Sequence, residues 1–346
     1  MKNNKILYIT LSIISFTIMA VVLRELRAIF IPLTFAIFLS LIFGRPVKFL
    51  SDKKVPTFVT ITFVLLTLLI IAYVGSAIVL SSVNSFTKEF PKYERLFTQK
   101  LTNFTDYFKI GMDDLERYFE NISWNEFITT NSLSSFFKTM VGNFANIMSK
   151  TFLTLFFLIF LIAGRNSFIK RLAAMVVDNK KSENESEILV GRVENQLLKY
   201  MGNKTLISLI TATLGMIFIA IFGVDFVIIS GLFLFILNFI PNFGSIIASL
   251  FPIFICFFEY GFGVKLVGLS ASLLFVQMIM GNLIEPKLLG NQLQLSPIII
   301  LISLIFWAWV WGAIGMILAV PITSSIAIII GEFDSFENIS KLMSGE

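Results

Sequence analysis

Gln277, Asn282 and Glu285 are the side chains best placed to bind something, because with Lys287 they sit between two apolar runs that are each long enough for a bilayer. An ionisable group at membrane depth costs at least about 2 to 3 kcal/mol, so such groups usually face a cavity and serve transport. Gln277 and Gly281 are four residues apart and Asn282 and Glu285 three, a spacing that sets an amide and a carboxylate on one helical face. Pro286 then ends or kinks that helix. Amides hydrogen-bond a polyol-like solute, whereas a carboxylate takes a proton or a sodium ion. The plainer reading leaves Glu285 and Lys287 as interfacial charges marking where a span leaves the membrane.

Breaks in the helices carry the same argument. The segment Asn238-Phe-Ile-Pro241-Asn242-Phe-Gly244, followed by Pro252, interrupts a hydrophobic region where free backbone groups cannot meet water. Broken helix at that depth survives only when buried in protein or lining a wet cavity, a common construction of transporter sites. The alternative is an ordinary turn between two spans. Past Leu295-Ser-Pro297, Gly312, Gly315 and Pro321 divide the last 35 apolar residues, too many for one untilted helix, into two halves. Gly244 to Pro252 and Gly315 to Pro321 share a Gly-apolar-Ala-Pro-Ile order, a faint repeat of the kind expected where two hairpins meet at a midplane site. In so isoleucine-rich a chain, coincidence is the simpler explanation of that repeat taken alone. Trp307 and Trp311 share a face suited to a headgroup belt.

Other chemistries lack their residues. Histidine is absent, which removes the usual general base, the commonest metal ligand and the proton carrier of neutral pH. The lone Cys256 lies in an apolar run, so neither a disulfide nor a thiolate metal site is expected. The glycines never form the GxxxxGK[ST] loop, and no Ser/Lys, Asp pair or HExxH arrangement is visible in the spans. The sequence therefore predicts a non-enzyme without cofactor or metal. Its net charge of +5 reads as membrane topology rather than affinity for nucleic acid.

The elements that must position these residues are membrane spans. Of the 346 residues, 56% are hydrophobic and only 14% charged, about half the charge of a soluble domain. Lys2 and Lys5 precede an apolar run from Ile6 to Leu23 with no small-x-small cleavage site before Arg24, which predicts an uncleaved first span. Residues 28–44, carrying Pro32, just span or dip in and return. Arg45, Lys48, Lys53 and Lys54, opposed only by Asp52, mark a cytoplasmic loop, so a third span at about 56–83 runs outward. Residues 84–150 have balanced charge and a stripe at Phe86, Phe90, Tyr93, Phe97, Leu101, Phe104 and Phe108, which predicts an amphipathic helical insert outside the cytoplasm. That stripe reads as packing rather than a ligand site. A span at 144–163 returns the chain to a charged cytoplasmic segment, 165–204, where Leu189, Val193, Leu197 and Met201 describe a second amphipathic helix. Short apolar pieces follow at 205–222 and 226–240, meeting in a tight turn at Val224-Asp225, then to Phe258 and at 264–280. The expected division is 1–83 N-terminal spans, 84–150 insert, 151–331 transport region and 332–346 polar tail.

Taken together, the Pro-containing second run (Ile31 to Gly44), Ile240-Pro-Asn-Phe-Gly244 with Pro252, Gln277, Glu285-Pro286, Leu295-Ser-Pro297, Gly312-Ala-Ile-Gly315 and Ala319-Val-Pro321 resemble the autoinducer-2 exporter family of permeases. The likeness covers nearly the whole chain and is strongest over 238–323. It implies an all-α polytopic fold with about eight spans, some short or re-entrant, and oligomeric transporters. Some members are linked to autoinducer-2 export and others to sodium/proton exchange. The expectation is a multi-pass permease of the bacterial inner membrane, surrounded by lipid, that moves a small polar solute by alternating access. Asn238, Asn242, Gln277, Asn282 and Glu285 would bind, and Pro241, Gly244, Pro252, Pro286, Pro297, Gly312, Gly315 and Pro321 would shape the broken helices. A sodium/proton antiporter using Glu285 is the alternative within the class, and a non-transporting scaffold binding a partner through 84–150 the alternative outside it.

Overall fold

The computed structural model describes residues 2–108, 144–164, 183–241, 243–289, 295–331 and 343. Asn242, residues 109–143 of the expected insert, residues 165–182 of the charged segment and nearly all of the polar tail lie outside the described residues. Every regular element among the described residues is helical, as hydrocarbon requires of a chain whose backbone groups must be satisfied internally. In order these are α1 (Lys2–Glu25), α2 (Arg27–Ile42), α3 (Gly44–Asp52), α4 (Thr57–Phe108), α5 (Phe144–Ala163), α6 (Glu183–Ile221), α7 (Val227–Leu237), α8 (Phe243–Tyr260), α9 (Val264–Met278), a π turn (Ile279–Ile284), α10 (Glu285–Leu289) and α11 (Pro297–Gly331).

Among the described residues, five helical stretches are long and apolar enough to cross a membrane: Thr57–Ser82, Glu194–Ile221, Phe243–Tyr260, Val264–Leu288 and Pro297–Gly331. A sixth crossing arises if α1 and α2 together form one. They bend by 90° at Leu26, so the first two runs form a broken span or re-entrant loop rather than two independent crossings. The chain is an all-α, multi-pass membrane protein. Large exposed side chains such as Phe58, Ile70 and Ile305 lie along these helices, as lipid-facing surface requires.

Two helices run further than their composition suggests. α4 continues 52 residues, about 78 Å, through Pro91 and into the amphipathic stripe. α6 joins the amphipathic segment and the following apolar run into one 39-residue helix where two elements were expected. Nothing in either junction supplies a glycine-proline stop, so the helix propagates from apolar to polar surroundings.

The fold divides into two compact units that interleave in sequence. One contains Met1–Thr67, Ser149–Lys204 and Leu288–Glu346, the other Leu68–Met148 and Thr205–Lys287. Within the first, α11 is not a single rod. Gly312 has φ +66° and ψ −143°, and the Trp307 indole donates to Thr323 Oγ1 at 3.3 Å. In a straight helix those residues would be about 24 Å apart. The chain folds back, giving arms 297–311 and 313–331. The Trp307 and Trp311 rings pack at a tilt with centroids 4.9 Å apart and are both buried, and Trp311 donates to the Leu23 carbonyl at 3.0 Å. Here the tryptophans form a packed core, not the headgroup belt their spacing suggested. Arg24 instead lies over the more exposed Trp309 ring at 4.9 Å.

Within the second unit, α7 and α8 form a hairpin packed against α9 and the end of α6. Leu234, Ala248, Ile255, Leu269 and Leu273 form its core. Gly231 and Gly268 face Met216 and the Phe222 ring so closely that a β-carbon at either would lie under 3 Å from them, which lets the helices approach. The turn expected at Val224-Asp225 is present, with Gly223 and Phe226 both at positive φ.

Candidate functional site: a broken-helix hairpin

The hairpin tip is built from Asn238 to Gly244. Its backbone groups are satisfied locally: Phe239 N–H bonds Ile236 O, Ile240 N–H bonds Leu237 O, Phe243 N–H bonds Pro241 O at 2.7 Å, and Gly244 N–H bonds Ile240 O at 3.2 Å. That closure is what permits a break among apolar residues. Gly244 is essential to it, since a β-carbon there would sit 1.7 Å from the Leu237 carbonyl oxygen. Gly315 does the same job in α11, where a β-carbon would sit 1.9 Å from the Trp307 carbonyl oxygen. The two segments that share a sequence order thus share a packing device, a glycine seated against a carbonyl of the preceding arm.

Amides and hydroxyls gather around the break. Asn238, buried, donates from Nδ2 to Ser208 Oγ on α6 at 3.0 Å. One turn past the tip, Gln277 of α9 donates from Nε2 to Ser249 Oγ at 3.4 Å and to the Ser245 carbonyl at 3.5 Å. Ser249 in turn donates to the Ser245 carbonyl at 2.9 Å. Pro252, buried one turn further along α8, leaves that helix without one amide donor. Ile207, Val276 and Met280 pack as one cluster, so the helix faces carrying Ser208 and Gln277 are in register. The Gln277 contacts are long and weak, which leaves its amide able to exchange partners.

The remaining expected residues are placed differently. Asn242 lies outside the described residues. Asn282 falls in the π turn and is exposed, whereas Glu285 is half-buried about 12 Å along the axis from Gln277. The π turn explains their separation, because its wider i→i+5 pattern removes the i,i+3 alignment that a regular helix would give them. Pro286 does not end the helix; it directly follows the π turn, and Val264–Leu288 runs on as one span. Pro241 is half-buried at the tip, Pro297 opens α11, and Pro321 is buried in its second arm.

Sequence reasoning passed over two features. Lys204 is 1% exposed within the Glu194–Ile221 span, and an ionisable side chain so deeply buried in a span is a candidate functional group by itself. The signal was a lysine opening an apolar run, read as a boundary. The second is a cluster of Tyr93, Asp225 and Glu259. Tyr93 Oη lies 2.8 Å from Asp225 Oδ2 and also hydrogen-bonds Glu259 Oε1, while Lys92 Nζ pairs with Asp225 at 3.0 Å. Asp225 and Glu259 stand at the two feet of the hairpin, and acids at matching ends of two antiparallel apolar runs were the available clue.

Burial works against the Asp225 charge, but the hydrogen bonds from Lys92 and Tyr93 outweigh it and hold its carboxyl below the ordinary aspartate range. Lys92 is correspondingly held above its ordinary value, first by the hydrogen bond to Asp225. Burial, then the hydrogen bonds to Glu259 and Asp225, push the Tyr93 hydroxyl well above the tyrosine range.

An apolar hairpin broken by proline and glycine and lined by neutral hydrogen-bonding groups is a construction common in transporters. The family model described as AI-2E family transporter matches residues 11–334. The chain belongs to the AI-2E transporter family. A protein of Haemophilus influenzae described as a candidate transport protein is 28% identical over 338 residues, covering 95% of this chain and 94% of its own length. The AI-2 transport protein TqsA of Escherichia coli K12 is 27% identical over 332 residues, 93% of this chain and 91% of its own. YrrI of Bacillus subtilis, also described as a candidate transport protein, is 23% identical over 320 residues, covering 89% and 87%. This AI-2E family member is therefore a multi-pass membrane transporter.

Proposed function

We propose that the protein is a permease of the bacterial inner membrane that moves a small, neutral, polar solute by alternating access, with the broken hairpin of α7 and α8 as its binding element. The observation that carries this reading is the neutrality of the groups hydrogen-bonded around the break: Ser208, Asn238, Ser245, Ser249 and Gln277 offer amides, hydroxyls and a carbonyl. Such a set exchanges hydrogen bonds with hydroxyl-rich solutes. The name of the Escherichia coli relative makes autoinducer-2 the first solute to try. Gln277 is the residue assigned to contact solute and Asn238 the residue that holds the tip against α6.

The antiporter reading rests on Glu285, which lies outside this neutral set, beyond the π turn. Proteoliposomes preloaded with radiolabelled autoinducer-2, with internal pH followed in parallel, separate the two. Solute efflux that falls in Gln277→Ala and persists in Glu285→Gln supports the permease. Sodium-dependent internal pH change that disappears in Glu285→Gln, with no solute efflux in the wild type, replaces it with the antiporter.

A further inference from the structure

The cluster at the feet of the hairpin has a proton count that its geometry fixes. Tyr93 is buried and its single hydroxyl hydrogen faces two carboxyl oxygens, Asp225 Oδ2 and Glu259 Oε1. A phenol donates once. Asp225 Oδ2 also receives Lys92 Nζ, so it is the acceptor of an ionised carboxylate, and the phenol proton belongs to it. The oxygen on the other side of the Tyr93 hydroxyl then has to supply a proton of its own. Glu259 Oε2 is buried with no partner among the described residues, a position that would leave an ionised carboxylate poorly solvated. The Asp225 backbone N–H reaches Glu259 Oε1 at 3.4 Å and completes the arrangement.

We propose that Tyr93, Asp225 and Glu259 form a one-proton clasp that ties both feet of the α7–α8 hairpin to α4, and that loss of this proton as pH rises loosens the hairpin. The charged and titratable groups facing the clasp are Lys92 and Glu89 from α4, Asp225 from the turn, and Cys256, Glu259 and Tyr260 from α8, with Lys265 of α9 next to Tyr260. Tyr260 is occupied by the Gly223 carbonyl at 2.6 Å, and Lys265 lies 3.6 Å over its ring. Neither replaces the shared proton. The upward hold on the Tyr93 hydroxyl, from burial first and the two acids next, means that the phenol keeps its hydrogen and the carboxyl pair is the part that releases one. With that proton gone, two carboxylates face one lysine across one hydroxyl, and the contact between Tyr93 and Glu259 turns repulsive. The hairpin that carries Asn238 and Gly244 at its other end is then held at one foot only. The clasp acts on the hairpin whichever solute the protein carries.

Hydrogen exchange of the purified full-length protein in detergent, followed upward in pH from just above the ordinary carboxyl range over peptides covering 227–237, tests this without reference to transport. After correction for the intrinsic rate of exchange, wild-type opening should rise by up to about tenfold per pH unit where the closed hairpin still holds the proton that the open one has released, and level off once the closed one has released it too. Glu259→Gln carries a permanent N–H donor to Tyr93 and should remove that rise. Asp225→Asn, which leaves a single carboxyl at the clasp, should remove it too and decides the matter where the first variant does not fold. A flat wild-type profile, or the wild-type rise persisting in the variant that folds, overturns the clasp.

Discussion

The absent β-carbon of Gly244 decides whether the hairpin can close. Gly244→Ala drives a methyl into the Leu237 carbonyl, and the turn has to open to accept it, at a cost on the order of 3 kcal/mol. Gly315→Ala meets the Trp307 carbonyl and should cost about as much, whereas Gly281→Ala meets open space and should leave thermal stability within about 0.5 kcal/mol of wild type or above it. Thermal unfolding in detergent ranks the three, and equal effects at Gly244 and Gly281 would show that the turn does not depend on that contact. Residue types were legible in the sequence where they broke a pattern: glycine and proline at 238–252 and 312–321 stand out against apolar neighbours. Partners were not legible, because Tyr93 meets Asp225 and Glu259 across 132 and 166 residues. The exposure of Asn282 was hidden for a different reason, since a π turn has no sequence signature that a regular periodicity would reveal.

At the scale of elements, the hairpin feet carry a second pH dependence opposite in sign to the clasp. Asp225 is held below the ordinary aspartate range in the folded protein, so its contribution is present above the unfolded value of about 4 and lost as pH falls through the folded one. The midpoint of thermal unfolding should therefore drop on acidification below about pH 4, and the drop should shrink in Asp225→Asn. An unchanged acid limb in that variant would show that the Lys92 pair contributes nothing, as is common for pairs this exposed. Apolar runs gave the spans at 57–82, 243–260 and 264–288, because hydropathy reports burial in lipid directly. They did not give the unbroken length of α4 or α6, or the 90° bend at Leu26, because helix continuity across a change of surroundings depends on what the helix packs against.

For the whole molecule, the basic loop before α4 leads us to propose that the end of the Thr57–Ser82 span faces away from the cytoplasm, and a cysteine test reads it. With Cys256→Ala as background, Ser85→Cys is exposed just past the Thr57–Ser82 span and should react with a membrane-impermeant maleimide in intact cells; reaction only after permeabilisation would reverse the orientation. Class and family were legible because they depend on composition and on scattered glycine, proline and amide positions, whereas the interleaving of two units in sequence depends on long-range packing. Efflux of preloaded autoinducer-2 from proteoliposomes, compared between wild type, Gln277→Ala and Glu285→Gln, tests the central claim most directly. A loss of about tenfold or more in Gln277→Ala, from the solute hydrogen bonds it removes, with efflux retained in Glu285→Gln, is the result predicted here. Wild-type rates in Gln277→Ala would contradict the assignment of the neutral hairpin as the solute site.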